Sequence, residues 1–244
     1  MKINACIVTG CKGDIGRSIA SELKKDGLYV IGIDKTKKKP VGIDKYLCYD
    51  FHQVIDNNNV RKSFTNEILS SLSNKNLSLL VNNAAIQNLE KSKFQLTKLI
   101  ESYNVNAITP YLIYKTCEKE LKKNKGVLVN IGSIHSSLTK KGFGYYASSK
   151  SALKSLTNSI ALDNNADILT YLIEPAAIKT KMLINGLSDS SIKKLHKYHP
   201  CGEIGSPNDI AKIISFLYKT RIKFLHGTNI DLSGGIKNLL HDPE

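Results

Sequence analysis

Seven short runs of β-branched and other apolar residues recur along the chain, at 3–8, 28–33, 46–48, 77–81, 127–131, 168–173 and 229–232. Several are apolar at consecutive positions, the mark of strands buried on both faces in a parallel sheet. Between them lie helical patterns at 15–25, 60–72, 94–102, 105–123, 146–162 and 207–218, the last with Ser206 as N-cap and Pro207 as first helical residue. Parallel strands need long crossovers, so the alternation predicts a doubly wound α/β sheet of about seven strands with helices on both faces. The 244 residues carry no repeat, linker or composition shift, so one domain over 1–244 is expected. Residues 43–59 read as loop-rich. Residues 182–205, rich in Ser, Lys and His, interrupt the alternation as an insertion beyond a strand's carboxyl end, where such sheets bind ligands. They are expected to act as a substrate lid.

Composition narrows the partners. With 41% hydrophobic and 23% charged residues the chain is an ordinary globular protein. The apolar runs at 77–81 and 127–131 fall far short of the ~20 residues of a membrane span, so no membrane association is expected. The five cysteines, Cys6, Cys11, Cys48, Cys117 and Cys201, are scattered without C-x-x-C spacing, which suits a cytoplasmic protein and argues against zinc or a disulfide framework. No metal site is expected either from His135 or from the His-x-x-His of His196 and His199, which lack a third ligand at strong spacing. The formal charge of +14 invites a nucleic-acid reading. Yet only Arg17, Arg61 and Arg221 are arginine and the lysines are dispersed, unlike the clustered arginines of phosphate readers, so no nucleic acid is expected.

The first strand runs into Thr9-Gly10-Cys11-Lys12-Gly13-Asp14-Ile15-Gly16 and then a helix. Glycines in such a turn let the backbone approach a pyrophosphate seated on the helix N-terminus. The second strand ends on Asp34, about 20 residues on, where a carboxylate accepts hydrogen bonds from the adenosine ribose and repels a 2′-phosphate. Together these predict a Rossmann-like dinucleotide site with NAD favoured. Lys35 and Lys37, Lys38 and Lys39 argue the other way and keep NADP as the alternative.

Tyr146 and Lys150 stand four residues apart on one helix face, but Tyr111 and Lys115 match the same spacing. Context separates them. Only Tyr146–Lys150 follows a strand, 127–131, that ends in Gly132-Ser133, placing a serine at the sheet's carboxyl edge. With these pieces in place the chain resembles the short-chain dehydrogenase/reductase family along nearly its whole length. The matching segments are the turn at 9–16, Asp50 after the third strand, Asn82-Asn83-Ala84-Ala85, Asn106, Ser133, Tyr146-x-x-x-Lys150, Pro175 to Thr180 and Gly234-Gly235. Asp14, Ala85 and Ala176 replace glycines of the family pattern. A carboxylate at 14 has to turn away from the pyrophosphate, and capping the helix that begins at Ile15 would achieve this.

The resemblance implies an oxidoreductase that moves a hydride between nicotinamide and a secondary alcohol or ketone. Tyr146 would be the general acid/base, Lys150 its electrostatic support and ribose ligand, Ser133 the substrate orienter, and Asn106 the holder of a water next to Lys150. Gly10, Asp14, Ile15, Gly16, Asp34, Asp50, Asn83, Ile178 and Thr180 would border the dinucleotide, together with Tyr146 and Lys150. The resemblance also implies a homotetramer, or failing that a homodimer. The charge of Lys193, Lys194 and Lys197 in the insertion favours an anionic substrate. The rival reading is a catalytically silent dinucleotide-binding sensor or scaffold, which has no need of the serine, tyrosine and lysine together.

Overall fold

The computed structural model describes residues 2–90, 93–185 and 187–239. Its sheet has seven strands: β1 (Ile3–Thr9), β2 (Tyr29–Asp34), β3 (Lys45–Cys48), β4 (Lys75–Asn82), β5 (Val127–Ile131), β6 (Leu169–Pro175) and β7 (Asn229–Leu232). Their order is β3-β2-β1-β4-β5-β6-β7, every neighbour pair parallel. The chain winds outward from β1 to β3, then returns to place β4 on the other side of β1. Connections leave the carboxyl ends of β1 and β4 in opposite directions, and a crevice opens between them.

The helices are α1 (Asp14–Lys25), α2 (Phe51–Asp56), α3 (Asn58–Ser71), α4 (Leu96–Tyr103), α5 (Thr109–Lys123), α6 (Gly144–Asn164), α7 (Lys181–Ile184), α8 (Asp189–Tyr198) and α9 (Pro207–Thr220). They cover both faces of the sheet, and β1 shows why its residues are apolar throughout. Cys6 and Val8 point into one core with Ile19 and Leu23 of α1 and Ile210 and Ile214 of α9. Ala5 and Ile7 point into the other, with Phe64 and Ile68 of α3 and Ile113 and Leu121 of α5. Each fully buried Leu, Ile or Val contributes about 1.5–3 kcal/mol, so a polar residue on either face of β1 would be costly.

Two segments depart from the sequence expectation. Residues 43–59 are not mainly loop: besides the expected strand β3 they hold α2 and the start of α3. The Asp and Asn residues that suggest a loop are caps, since Asp50 accepts from the His52 N–H (3.0 Å) and Asn57 from the N–H groups of Asn59 (2.9 Å) and Val60 (3.2 Å). Expected as two separate helices, α4 and α5 instead join through a π-helical turn, Asn104–Ile108, whose extra residue turns Asn106 inward. The insertion 182–205, for which no elements were expected, holds two short helices. Thr180 caps α7 and Ser188 caps α8, each through its side-chain oxygen, while Gly186 between them lies outside the described residues. The end of α9 follows expectation, with a capping box between Ser206 and Asp209 and Pro207 in its first turn. None of the described helices is long and apolar enough to cross a membrane.

Candidate active site

A cleft of about 1110 Å³ runs along the carboxyl edge of the sheet. Its floor at one end is the turn between β1 and α1. Gly10 adopts a left-handed conformation (φ +64°), and a Cβ there would lie 2.8 Å from the Ala84 Cα. At Gly16 a Cβ would overlap the Gly10 carbonyl oxygen, so the helix and the turn pack backbone to backbone. Gly13 is the N-cap and supplies no side-chain acceptor, which leaves first-turn N–H groups of α1 uncapped by side chains beside the cleft. That is the arrangement a dinucleotide pyrophosphate needs, and Ile15 lines the cleft there.

Asp14 does not cap α1. It is the first helical residue, and its carboxylate points across the cleft edge, accepting from the Lys181 N–H of α7 (2.7 Å) and pairing with Arg17 (2.5 Å). The Lys181 bond foremost, joined by the Arg17 hydrogen bond and charge, holds its carboxyl below the usual range, against the opposing effect of burial. The expected repulsion of a pyrophosphate is thus relieved by a partner on a distant element.

At the tip of β2 the Asp34 carboxylate accepts from the Lys12 N–H (3.1 Å) and from Thr36 (3.4 Å). Lys12 and Lys35 border the cleft beside it, whereas Lys39 reaches instead to the Asp44 carbonyl. Asp50 lies on the same wall while capping α2. Asn83 also borders the cleft, yet its amide donates to the carbonyls of Thr9 (2.9 Å) and Gly10 (3.3 Å), fastening β4 to the glycine turn. Ile178 and Thr180 form the wall at the other end, Ile178 buried and bridged to Gly205, Thr180 occupied as the cap of α7.

In the middle of the cleft, β5 delivers Ser133 and α6 delivers Tyr146 and Lys150. The Gly132 N–H donates to the Ile173 carbonyl (2.7 Å), fixing the strand end, and the Ser133 hydroxyl accepts from the His135 N–H (3.2 Å). Lys150 is fully buried, and its ammonium donates to the Ile131 carbonyl (2.7 Å) while lying 5.9 Å from the Tyr146 ring centroid. Burial pushes the Lys150 pKa down to about 7. Burial also pushes the Tyr146 phenol up, against a lowering hydrogen bond from Ser133. The expected lowering of the tyrosine by the Lys150 cation is therefore not a property of the protein by itself: burial penalises both charged forms.

Asn106 is buried in the π-helical turn. Its side chain accepts from the Ile86 N–H (2.9 Å) and donates to the Ile86 carbonyl (2.9 Å) and the Ser149 hydroxyl (2.9 Å), so its side-chain amide is committed to protein groups. The second Tyr/Lys pair lies away from the cleft, with Lys115 bound to Glu118 (2.5 Å) on the outer face of α5. Lys193, Lys194 and Lys197 are exposed and stand outside the cleft wall, to which α8 presents Ser191, Leu195, Tyr198 and His199. The His-x-x-His pair is split in use, His196 Nδ1 accepting from the Ile204 N–H (3.4 Å) and His199 bonding the Leu195 carbonyl (2.8 Å).

One residue bracing the site escaped the sequence reading. Glu174 is fully buried next to Pro175 and binds Ser136, Lys154 (3.2 Å) and Lys237 (3.0 Å). Burial pushes its pKa up, but those three partners outweigh it and hold the carboxyl below the usual range. It ties the loop after Ser133 to α6 and to the chain's late turn. The available signal was an acid inside an otherwise apolar strand, which has to be paired.

The chain's relatives share this arrangement of fold. The family profile described as enoyl-(acyl carrier protein) reductase matches residues 10–237. The 3-oxoacyl-[acyl-carrier-protein] reductase FabG of Haemophilus influenzae is 28% identical, covering 97% of this chain and 99% of its own. Meso-2,3-butanediol dehydrogenase of Serratia marcescens is 24% identical over 94% of this chain and 92% of its own. Among solved structures, ligand-free aldohexose dehydrogenase of Thermoplasma acidophilum superposes with a TM-score of 0.87 at 26% identity, covering 100% of this chain and 98% of that one. ElxO with NADP bound does so with a TM-score of 0.84 at 25% identity, covering 98% and 100%. With a glycine turn, a serine at the end of β5 and a Tyr-x-x-x-Lys helix on one cleft, and a profile match across most of its length, the chain belongs to the short-chain dehydrogenase/reductase family.

Proposed function

We propose that this oxidoreductase works on a secondary alcohol or ketone with Tyr146 as general acid/base, and that NAD is its dinucleotide. The observation that carries the reading is the meeting of Ser133, Tyr146 and Lys150 on the cleft that the glycine turn opens into. When bound, the nicotinamide supplies or accepts the hydride. In reduction the neutral Tyr146 phenol, kept protonated by burial, donates its proton to the substrate oxygen; in oxidation it takes that proton back. Lys150 has three donors and one protein acceptor, the Ile131 oxygen, so two N–H groups remain for ribose hydroxyls and for support of the phenolate. Ser133 orients the substrate oxygen. Asn106 acts by position, fixing residue 86 and Ser149 next to Lys150.

Asp34, held by Lys12 and Thr36, favours ribose hydroxyls over a 2′-phosphate, and supports NAD. Lys12 and Lys35 on the same wall make NADP the outcome that would overturn this preference. Residues 182–205 form the proposed lid, anchored at its base by the Asp14 to Lys181 bond. We place the protein in the cytoplasm, where its free thiols stay reduced. A homotetramer, or failing that a dimer, is supported by exposed apolar side chains on α4 to α6, including Ile100, Ile108, Tyr111 and Leu162.

The test is turnover of secondary alcohols and ketones with NAD(H) and NADP(H). Tyr146→Phe is expected to abolish turnover and keep dinucleotide affinity, while Tyr111→Phe behaves as wild type. Substantial activity in Tyr146→Phe, or the reverse order of the two variants, would defeat the assignment.

A further inference from the structure

Behind the serine wall of the cleft lies a charge that the chemistry above does not use. Glu174, the last residue of β6 before Pro175, has a side chain only 1% exposed and does not border the cleft. Its partners come from three segments far apart in sequence. The Ser136 hydroxyl donates to Oε1, the Lys154 ammonium of α6 to both oxygens (3.2 and 3.3 Å), and the Lys237 ammonium to Oε2 (3.0 Å). These four contacts fill the lone-pair sites of a carboxylate, so none is left for a ligand. A buried ion pair is also a poor source of stability, because taking the charges out of water offsets most of their attraction. What such a group fixes is position.

The position at stake is that of Ser133. Consecutive residues of β6 grip the serine from two sides: the Ile173 carbonyl accepts from the Gly132 N–H before it (2.7 Å), and Glu174 holds Ser136 after it. Between these grips Ser133 opens the 3-10 turn Ile134–Ser136. Its hydroxyl accepts from the His135 N–H (3.2 Å) and its carbonyl from the Ser136 N–H (3.0 Å). The direction of the hydroxyl is therefore set by a turn whose far end rests on Glu174. That far end is also joined to α6, where Ser151 donates to the Ser136 carbonyl (2.8 Å) and Lys154 to the Ser137 hydroxyl (2.8 Å). Lys154 stands one helical turn beyond Lys150 and two beyond Tyr146.

We propose that Glu174 is a positioning residue for the reaction: it sets the Ser133 turn against the helix of Tyr146 and Lys150, so that serine hydroxyl and phenol meet the same substrate oxygen. The inference rests on the oxidoreductase reading above and deepens it. An apolar residue at 174 would fill the strand equally well and tie neither segment.

Glu174→Gln keeps the shape of the side chain and removes its charge. Reduction of 2,3-butanedione with NADH, or of the ketone that wild type reduces fastest, is measured for wild type, Glu174→Gln, Ser133→Ala and the double variant. Glu174→Gln is expected to lower kcat about 10- to 100-fold, the scale of a small misplacement of a reacting group, while the NAD dissociation constant from calorimetry stays within about threefold. In the Ser133→Ala background the same substitution is expected to cost less than about threefold, because the group it positions is gone. Ser136→Ala cuts only the serine contact; it is expected to lower kcat about tenfold with the same dependence on Ser133, and it decides alone if Glu174→Gln does not fold.

A Glu174→Gln protein that melts earlier yet keeps the wild-type kcat, or one whose loss is equal with and without Ser133, would overturn the proposal and leave the oxidoreductase reading in place. Hydrogen exchange on the NAD-loaded protein separates the reverse case. Faster exchange of the His135 and Ser136 amides in Glu174→Gln, with no ketone or secondary alcohol turned over by wild type, would keep the brace but refute the oxidoreductase reading and, with it, any role in a reaction.

Discussion

Lys150→Met is expected to make the protein more stable and inactive. The ammonium is fully buried with a single protein partner, and burial moves its pKa from 10.5 to about 7. At about 1.4 kcal/mol per tenfold, that shift means burial disfavours the charged form by roughly 5 kcal/mol. Methionine removes the charge at similar volume but also withdraws the donor from the Ile131 oxygen, which offsets about 1–3 kcal/mol. The net gain is about 3 kcal/mol, or roughly 6–12 °C in Tm for a domain of this size.

The pH dependence carries the sign. Below about pH 7 the lysine is protonated in both folded and unfolded chains, so the cost of burying it is present in full. Between about 7 and 10.5 the folded chain loses the proton first and the unfolded chain keeps it, so wild-type stability rises with pH and the gap to Lys150→Met closes. Urea denaturation of both proteins without dinucleotide, at pH 6 and at pH 9.5, measures it. NAD should then stabilise wild type more than the variant, because the free ammonium donors are its proposed ligands. A variant less stable than wild type at pH 6, or a gap that does not change with pH, would refute the reasoning.

Gly16→Ala is expected to abolish dinucleotide binding and lower Tm by several degrees, because its Cβ would overlap the Gly10 carbonyl oxygen at the packed turn; calorimetry with NAD and a melting curve check both, and near-normal binding would show the turn to be more adaptable than its packing implies. Light scattering at micromolar concentration is expected to give a tetramer or dimer mass. Ile108→Lys, at the exposed end of the π-helical turn just before α5, should shift it toward the monomer, and a monomer mass for wild type would remove the proposed assembly.

Local sequence was enough for the sheet. A strand such as 127–131 is apolar at nearly every position because parallel strands are covered on both faces, and that pattern needs no knowledge of its neighbours. The glycine turn, Asp34 at a strand end and the Tyr146/Lys150 spacing were legible for the same reason: each depends on a backbone conformation or a helical period set within a few residues. Short capped helices were not. Asp50 and Asn57 carry turn-like side chains whether they cap a helix or sit in a loop, and only the packing of Phe51 and Val54 into the core decides for the helix. What tertiary structure alone decided was where polar groups spend their hydrogen bonds. Asp14 finds the Lys181 N–H 167 residues away, Asn106 is consumed by residue 86, and Glu174 gathers Ser136, Lys154 and Lys237. Such long-range pairings leave no periodic trace, because a hydrogen bond depends on distance and angle in space and on nothing in the spacing along the chain.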